Sequence, residues 1–263
     1  WSAKVLQIPN HKKEILKEKS TKYCVVVPVI NEGERIQTQL QKMKDISKDI
    51  DIIIADGGSS DGSLELEFLK SCNVRAILTK QDKGKLSAQL RMAYKFALDE
   101  GYEGIVTVDG NGKDSVESIY EFIKKLDDGY DMIQGSRFIQ GGAAINTPKI
   151  RHFAVKLIHI PVISAIAGFK YTDTTNGYRG YSKKYLEHPD VQPFRDIFDT
   201  YELLAYLSVK APRLGLKTCE VPVTRTYPSD GKVPTKISSF RGNFLLIEIL
   251  LELFKGKYNV NLF

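Results

Sequence analysis

Cysteine is scarce in this 263-residue chain: Cys24, Cys72 and Cys219 are odd in number, far apart and in no CxxC pair. That spacing argues against a disulfide framework or a structural zinc site and favours a reducing, cytoplasmic compartment. The four histidines, His11, His152, His159 and His188, have no metal-ligand spacing. No signal peptide opens the sequence, and long apolar runs are missing. The longest charge-free run in the middle of the chain, Leu157–Phe169, has 13 residues, short of the roughly 18–20 needed to span a bilayer. A soluble protein is therefore expected. No G-x-G-x-x-G follows the first strand and no G-x-x-x-x-G-K-[ST] occurs anywhere, which weighs against a dinucleotide-dependent oxidoreductase and a phosphate-loop enzyme. Asp109–Asp114 has the outline of a calcium loop, but Asp114 stands at the sixth position, where the sharp turn needs glycine.

What is present is a globular composition with a basic excess. Lys and Arg number 38 against 32 Asp and Glu, giving a formal charge of +6. Hydrophobic residues make up 42% and charged residues 27%, which excludes a disordered chain. The length suits one large domain or a domain with an appendage. Between Thr147 and Lys184 seven Lys or Arg face one acid, Asp173. Such a stretch suits phosphorylated ligands, anionic lipid or a plain solvated face. Nothing resembles a nucleic-acid module, so no nucleic-acid partner is expected.

The N-terminal half alternates apolar runs with helix-period segments. Residues 23–29, 51–55, 74–79, 104–108 and 130–134 read as buried strands, with helices near 34–44, 63–71, 85–100 and 115–126. Short apolar strands separated by helices predict an α/β fold with a mostly parallel central sheet flanked by helices. Residues 1–21 read as a polar, partly helical leader and 140–148 as a loop. Helices follow near 149–168 and 198–210, a short strand near 177–181 and an extended stretch at 218–226. Residues 22–237 are taken as the main α/β domain, preceded by the leader, and 238–263 as a C-terminal helical appendage, with an apolar helix at 240–254.

Ligands on such sheets sit at the carboxyl ends of the strands. Strand one ends in Pro28-Val-Ile-Asn31-Glu32, strand two in Asp56-Gly-Gly-Ser-Ser-Asp61-Gly-Ser, and strand four in Asp109-Gly110-Asn111-Gly-Lys113-Asp114. Any one Asp-Gly run is an ordinary turn. Three carboxylate-bearing loops at one sheet edge suit hydrogen bonds to a base or ribose, or a divalent cation against a diphosphate.

The order of these motifs resembles family 2 of the inverting glycosyltransferases, which have the nucleotide-sugar-binding fold called GT-A. Gly135-Ser-Arg137-Phe138, Asp173-Thr-Thr-Asn-Gly177-Tyr178-Arg179 and Glu220-Val-Pro-Val223 follow in the order of the dolichol-phosphate mannose synthase-like branch. The resemblance covers roughly residues 22–240. It implies a nucleotide-sugar donor (UDP, GDP and CDP all remaining open), held by Pro28, Asn31, Glu32, Asp56, Asp82, Lys85, Asp109, Gly110 and Asn111. It places Asp109 and Asn111 where the family has its metal-binding Asp-x-Asp motif. Arg137 and Arg179 would face phosphate groups, and Glu202 stands where acceptor-side carboxylates lie.

Two departures matter. Asn111 is a neutral, weaker ligand for Mg²⁺ or Mn²⁺, and Lys113 would repel the metal yet could neutralise the departing diphosphate. The alternative is that Lys113 points to solvent while Asp109 and Asp114 hold a metal. A sugar-hydroxyl acceptor needs a general base, Glu202 or Asp199. A polyprenyl-phosphate acceptor needs only cations, for which Arg151, Arg225 and Lys236 are further candidates. The lipid-phosphate acceptor is favoured over a free saccharide, with peripheral contact at the cytoplasmic membrane face. The helix at 240–254 would meet core, lipid or a second copy in a homodimer. A non-catalytic nucleotide-sugar-binding relative and a nucleotidyltransferase are the rivals.

Overall fold

The strands are β1 (His11–Ile15), β2 (Tyr23–Val29), β3 (Asp51–Asp56), β4 (Val74–Lys80), β5 (Gly104–Thr107), β6 (Met132–Ser136), β7 (Ala143–Ile145), β8 (Arg179–Ser182), β9 (Thr218–Pro222) and β10 (Thr224–Thr226). β2 is buried along its whole length, and its side chains divide between two cores. Cys24 and Val26 enter one cluster, and Val25, Val27 and Val29 enter the other. β3 does the same, with Ile53 and Ala55 on one face and Ile52 and Ile54 on the other. Successive strand side chains point to opposite faces, so a continuous apolar run requires cover on both.

The computed structural model describes residues 6–148, 155–229 and 240–260. Among these, one eight-stranded sheet runs in the order β1-β4-β3-β2-β5-β8-β6-β9, and β7 and β10 form a separate parallel pair. β2 is parallel to both β3 and β5, and β3 to β4. β8 lies antiparallel between β5 and β6. Helices α1 (Glu34–Met43), α2 (Leu66–Ser71) and α4 (Ile119–Asp127) fill one face. The other is covered by α3 (Leu86–Asp99), α5 (Ile160–Ala167), α7 (Glu202–Arg213) and α8 (Phe240–Phe254), while the short α6 (Lys183–Leu186) follows β8. The α/β class with a mostly parallel central sheet is as expected from the sequence.

Two local expectations fail. β1 lies inside the stretch read as a partly helical leader, and pairs antiparallel with β4 from His11↔Lys80 to Ile15↔Ala76. Its sequence HKKEI carries no apolar alternation because an edge strand needs only backbone pairing on one side and can stay charged on the other. β7 lies inside the stretch read as a loop and pairs with β10 from Ala143↔Thr224 to Ile145↔Thr226. The helix expected at 149–168 is described only from Val155, as a π-helical turn followed by α5.

Candidate active site

The parallel register brings the ends of β2, β3 and β5 side by side, with Val29 opposite Asp56. The turn after β2 and the turn after β3 clasp each other. The Asn31 N–H donates to Ser59 Oγ at 3.0 Å, and the Ser60 N–H returns a bond to Asn31 Oδ1 at 2.8 Å. Asp61 accepts from the Gly33 N–H at 2.8 Å and from the Ser63 hydroxyl at 2.7 Å. Asn31 sits at φ 49°, a left-handed conformation that asparagine tolerates. A cleft of about 400 Å³ opens here, lined by Asn31, Glu32, Gly33, Glu34, Arg35 and Asp61. Asp56 is buried, and its Oδ1 accepts from the Gly58 and Ser59 N–H groups, so this carboxylate shapes its own turn.

Two glutamines, which sequence reading passed over, hold these turns. Buried Gln89 on α3 donates from Nε2 to the carbonyls of Val29 and Ala55, both at 2.9 Å, tying β2 to β3. Its amide also fills the space beside Gly57, where a Cβ would stand 2.9 Å from Nε2. Gln39 on α1 accepts from the Gly112 N–H at 2.9 Å. Each is a polar residue on the buried face of an amphipathic helix, and that misplacement in the pattern is the signal that marks it.

Beyond β5, the Gly110 N–H donates to the Pro28 carbonyl at 3.2 Å. Any Cβ at Gly110 would strike Val29 at 2.8 Å, which is why glycine stands there. Asn111 turns its Nδ2 toward Asp109 Oδ2 at 3.4 Å, while its Oδ1 accepts from the Lys113 N–H at 3.3 Å. The chain from Lys113 to Ser115 then runs alongside β10. The Thr226 N–H donates to the Lys113 carbonyl at 2.8 Å and the Ser115 N–H to the Thr224 carbonyl at 2.9 Å. This delivers Arg225 between two carboxylates, with Nη1 at 2.5 Å from Asp114 Oδ2 and Nη2 at 3.3 Å from Asp109 Oδ2. Burial raises the Asp114 carboxyl above its usual range despite Arg225. Burial opposes the charge of Arg225, but Asp114 and Asp109 more than offset it and raise its pKa.

Lys113 is 6% exposed, so the alternative in which it points to solvent does not hold. Its Nζ lies 5.0 Å from the centre of the Tyr227 ring. Asp109 keeps a quarter of its side chain exposed. The donor set does not fit Mg²⁺ or Mn²⁺, which demand several oxygen lone pairs around the ion. One Asp109 oxygen faces a guanidinium and an amide NH₂, Asn111 presents that NH₂ to it, and Asp114 is engaged with Arg225. Among the described residues no three His, Cys, Asp or Glu side chains converge. Asp109 and Asn111 are thus neighbours as expected, but they are not arranged as a ligand pair.

The remaining candidates lie in other surroundings. Arg137 is buried in a bidentate pair with Asp173, Nε to Oδ2 at 2.6 Å and Nη2 to Oδ1 at 2.9 Å, and it also donates to Thr175 Oγ1. Arg179 directs its guanidinium to the carbonyls of Asn176, Thr174 and Leu204 and to Ser208 Oγ. Both guanidiniums brace the 172–179 loop from inside. Glu220 secures the same loop by accepting from the Thr172 and Asp173 N–H groups. Glu202 turns its carboxylate back on the N–H and hydroxyl of Thr200, at the start of its own helix. Asp82 is exposed and accepts from the N–H and side chain of Asn10, securing the segment before β1. The Lys85 N–H donates to the Asp199 carbonyl, and its Nζ lies 5.8 Å from the Tyr201 ring centre. Arg151 and Lys236 lie outside the described residues.

Comparison with known proteins gives this geometry a context. The chain matches the family model for glycosyl transferase family 2 over residues 24–188. It is 26% identical over 206 residues to polyprenol monophosphomannose synthase of Mycolicibacterium smegmatis, covering 77% of this chain and 76% of that one. It is 24% identical to undecaprenyl-phosphate mannosyltransferase of Micrococcus luteus, covering 76% and 81%. The fold is similar to crystal structures of glucosyl-3-phosphoglycerate synthase from Mycobacterium tuberculosis, with a TM-score of 0.64 at 14% identity over 88% of this chain and 80% of that one. One of those structures was determined with Mn²⁺ and UDP-glucose.

Proposed function

Because the chain belongs to glycosyl transferase family 2 and is a glycosyltransferase, we propose that it transfers a sugar, with inversion, from a nucleotide-sugar to a polyprenyl-phosphate acceptor. The observation that carries this is the alignment of the carboxyl ends of β2, β3 and β5 at one sheet edge, where Asp56 ends β3, Asp109 follows β5, and the β2 and β3 turns line a cleft. The lipid-phosphate acceptor is taken from the similarity to the polyprenol monophosphomannose synthase and the undecaprenyl-phosphate mannosyltransferase.

In this reading Pro28, Asn31, Glu32 and Asp56 hold the base and ribose, and Asp109, Gly110 and Asn111 lie along the ribose and diphosphate. An acceptor phosphate oxygen forms a bond to the anomeric carbon as the bond from that carbon to the diphosphate oxygen breaks. The electron pair leaves with the nucleoside diphosphate. A phosphate arrives already anionic, so no side chain must remove a proton. That agrees with a Glu202 carboxylate whose oxygens are engaged with Thr200. Arg137 and Arg179 then act by bracing the loop from Thr172 to Arg179 rather than by touching phosphate.

Peripheral membrane contact belongs to the same reading. On α8, Ile249, Leu250 and Leu253 face the core, while Ile247, Leu251 and Phe254 are exposed at 47%, 55% and 76%. The spacing i, i+4, i+7 puts the exposed three on one stripe. α5 packs against α8, and Leu157 and Ile158 just before it are also exposed. Among the described residues no helix is long and apolar enough to cross a membrane.

The test is incubation with radiolabelled UDP- and GDP-sugars and a short polyprenyl phosphate, followed by organic extraction. Label in an acid-labile, lipid-soluble product is the expected result. Label transferred only to a free saccharide, or released only by hydrolysis, would refute the lipid-phosphate acceptor.

A further inference from the structure

The acidic motif after β5 carries its own counter-cations. Asp109 and Asp114 contribute two negative charges, Arg225 and Lys113 contribute two positive ones, and Asn111 contributes none. The guanidinium is held in place by the backbone. β10 is bonded to the Lys113–Ser115 segment at Thr226 and Thr224, and the Thr224 N–H also donates to Ser115 Oγ at 3.2 Å. Between those points Arg225 has Asp114 at 2.5 Å, with the Asp114 side chain wholly buried. Tyr227 walls the cluster, its ring centre 5.7 Å from the Arg225 guanidinium carbon and 5.0 Å from Lys113 Nζ.

A divalent ion at Asp109 Oδ2 would compete with the guanidinium and the Asn111 amide for that oxygen, and at either oxygen it would lie beside two buried cations. Resting on the nucleotide-sugar transferase reading above, we infer that Arg225 takes over the role of the divalent cation toward this motif, so that the donor diphosphate binds without a metal. Arg225 is a positioning residue here. It neutralises and orients Asp109, so the diphosphate approaches a motif whose charge is already balanced, and Lys113 adds positive charge beside it.

Calorimetric titration of the full chain with UDP, GDP and CDP, once in EDTA and once in millimolar Mn²⁺, tests this directly. The expected result is one nucleotide whose Kd agrees between the two conditions within about twofold. Binding seen only with Mn²⁺, or at least about tenfold tighter with it, an amount typical of a charged hydrogen bond, overturns the inference and leaves the transferase reading intact. Binding in neither condition removes the donor site itself, and the inference with it. Removing Arg225 alone would strand the buried Asp114, so the variant is Arg225→Gln combined with Asp114→Asn, its folding checked by circular dichroism. It is expected to bind about tenfold more weakly in EDTA and to recover with Mn²⁺, because Asp109 has then lost its guanidinium partner. Unchanged, EDTA-insensitive binding by the folded double variant overturns the role given to Arg225. Should that variant not fold, Asn111→Asp supplies the second test. A second acid beside Asp109 is expected to make binding respond to Mn²⁺, and no response counts against Arg225 as the substitute for a metal that the motif could otherwise hold.

Discussion

Gly177 lies against the Asp109 carboxylate so closely that a Cβ at that position would stand 2.6 Å from Oδ1. The loop that carries Gly177 is itself secured by Arg137, Asp173 and Glu220. The acidic motif after β5 is therefore shaped from two sides, by Arg225 and by this glycine.

Gly177→Ala is expected to push the Asp109 carboxylate out of position with modest effect on the fold. Overpacking of this kind costs about 1–3 kcal/mol. Steady-state transfer should fall at least about tenfold while the far-UV spectrum stays unchanged, which places the cost at the site. Transfer at the wild-type rate would show that Asp109 can move without consequence.

Arg137→Ala should act mainly on stability. Its side chain is 3% exposed and that of its partner Asp173 is 0% exposed. Removing one member of such a pair leaves a buried charge uncompensated, at about 3–5 kcal/mol. Urea unfolding measures this, and Asp173→Asn with Arg137→Met should recover much of the loss. A stable Arg137→Ala protein with lost transfer would instead return Arg137 to substrate contact.

His159 makes stability depend on pH. Burial, with Arg179 nearby and Asp173 opposing, lowers its pKa to about 4, and its Nδ1 lies 2.7 Å from Thr174 Oγ1. A depressed folded-state pKa means that the unfolded chain binds the proton first. The contribution is complete above about pH 6.5 and is lost as pH falls toward about 4. Unfolding free energy should therefore drop by roughly 2 kcal/mol between about pH 7 and pH 5 through this residue. His159→Gln should flatten that part of the profile. An identical slope in the variant would assign the loss to other groups.

The exposed stripe on α8 should govern membrane partition. Ile247→Ser, Leu251→Ser and Phe254→Ser together remove enough apolar surface to weaken vesicle binding at least about tenfold. Co-sedimentation with vesicles containing anionic phospholipid reads this out. Unaltered sedimentation excludes the stripe as the contact, and a wild-type dimer that the substitutions dissociate would assign it to a second copy.

Local pattern alone determined a good deal of this protein. Continuous apolar runs at residues 23–29 and 51–55, too short for helices and bounded by turn residues, read as strands covered on both faces with turns at one sheet edge. Those turns, with Asp109-Gly-Asn111, Gly135–Phe138, Asp173–Arg179 and Glu220–Val223 following in order, carried the resemblance to the family. What the pattern could not contain was which charges meet. Arg225 lies 111 residues from Asp114 and 116 from Asp109, and it reached them only because β10 runs beside the segment after β5. The resemblance implied phosphate contacts for Arg137 and Arg179, and no local pattern showed that both guanidiniums are engaged with protein groups. A cation in a glycine-rich stretch looks alike whether its partner is a ligand or a carboxylate far along the chain. β1 was hidden because an edge strand is held by backbone bonds that no side-chain periodicity records. Periodicity is a local property and ion pairing a property of neighbouring strands, so the sequence placed the cleft and the tertiary structure decided its electrostatics.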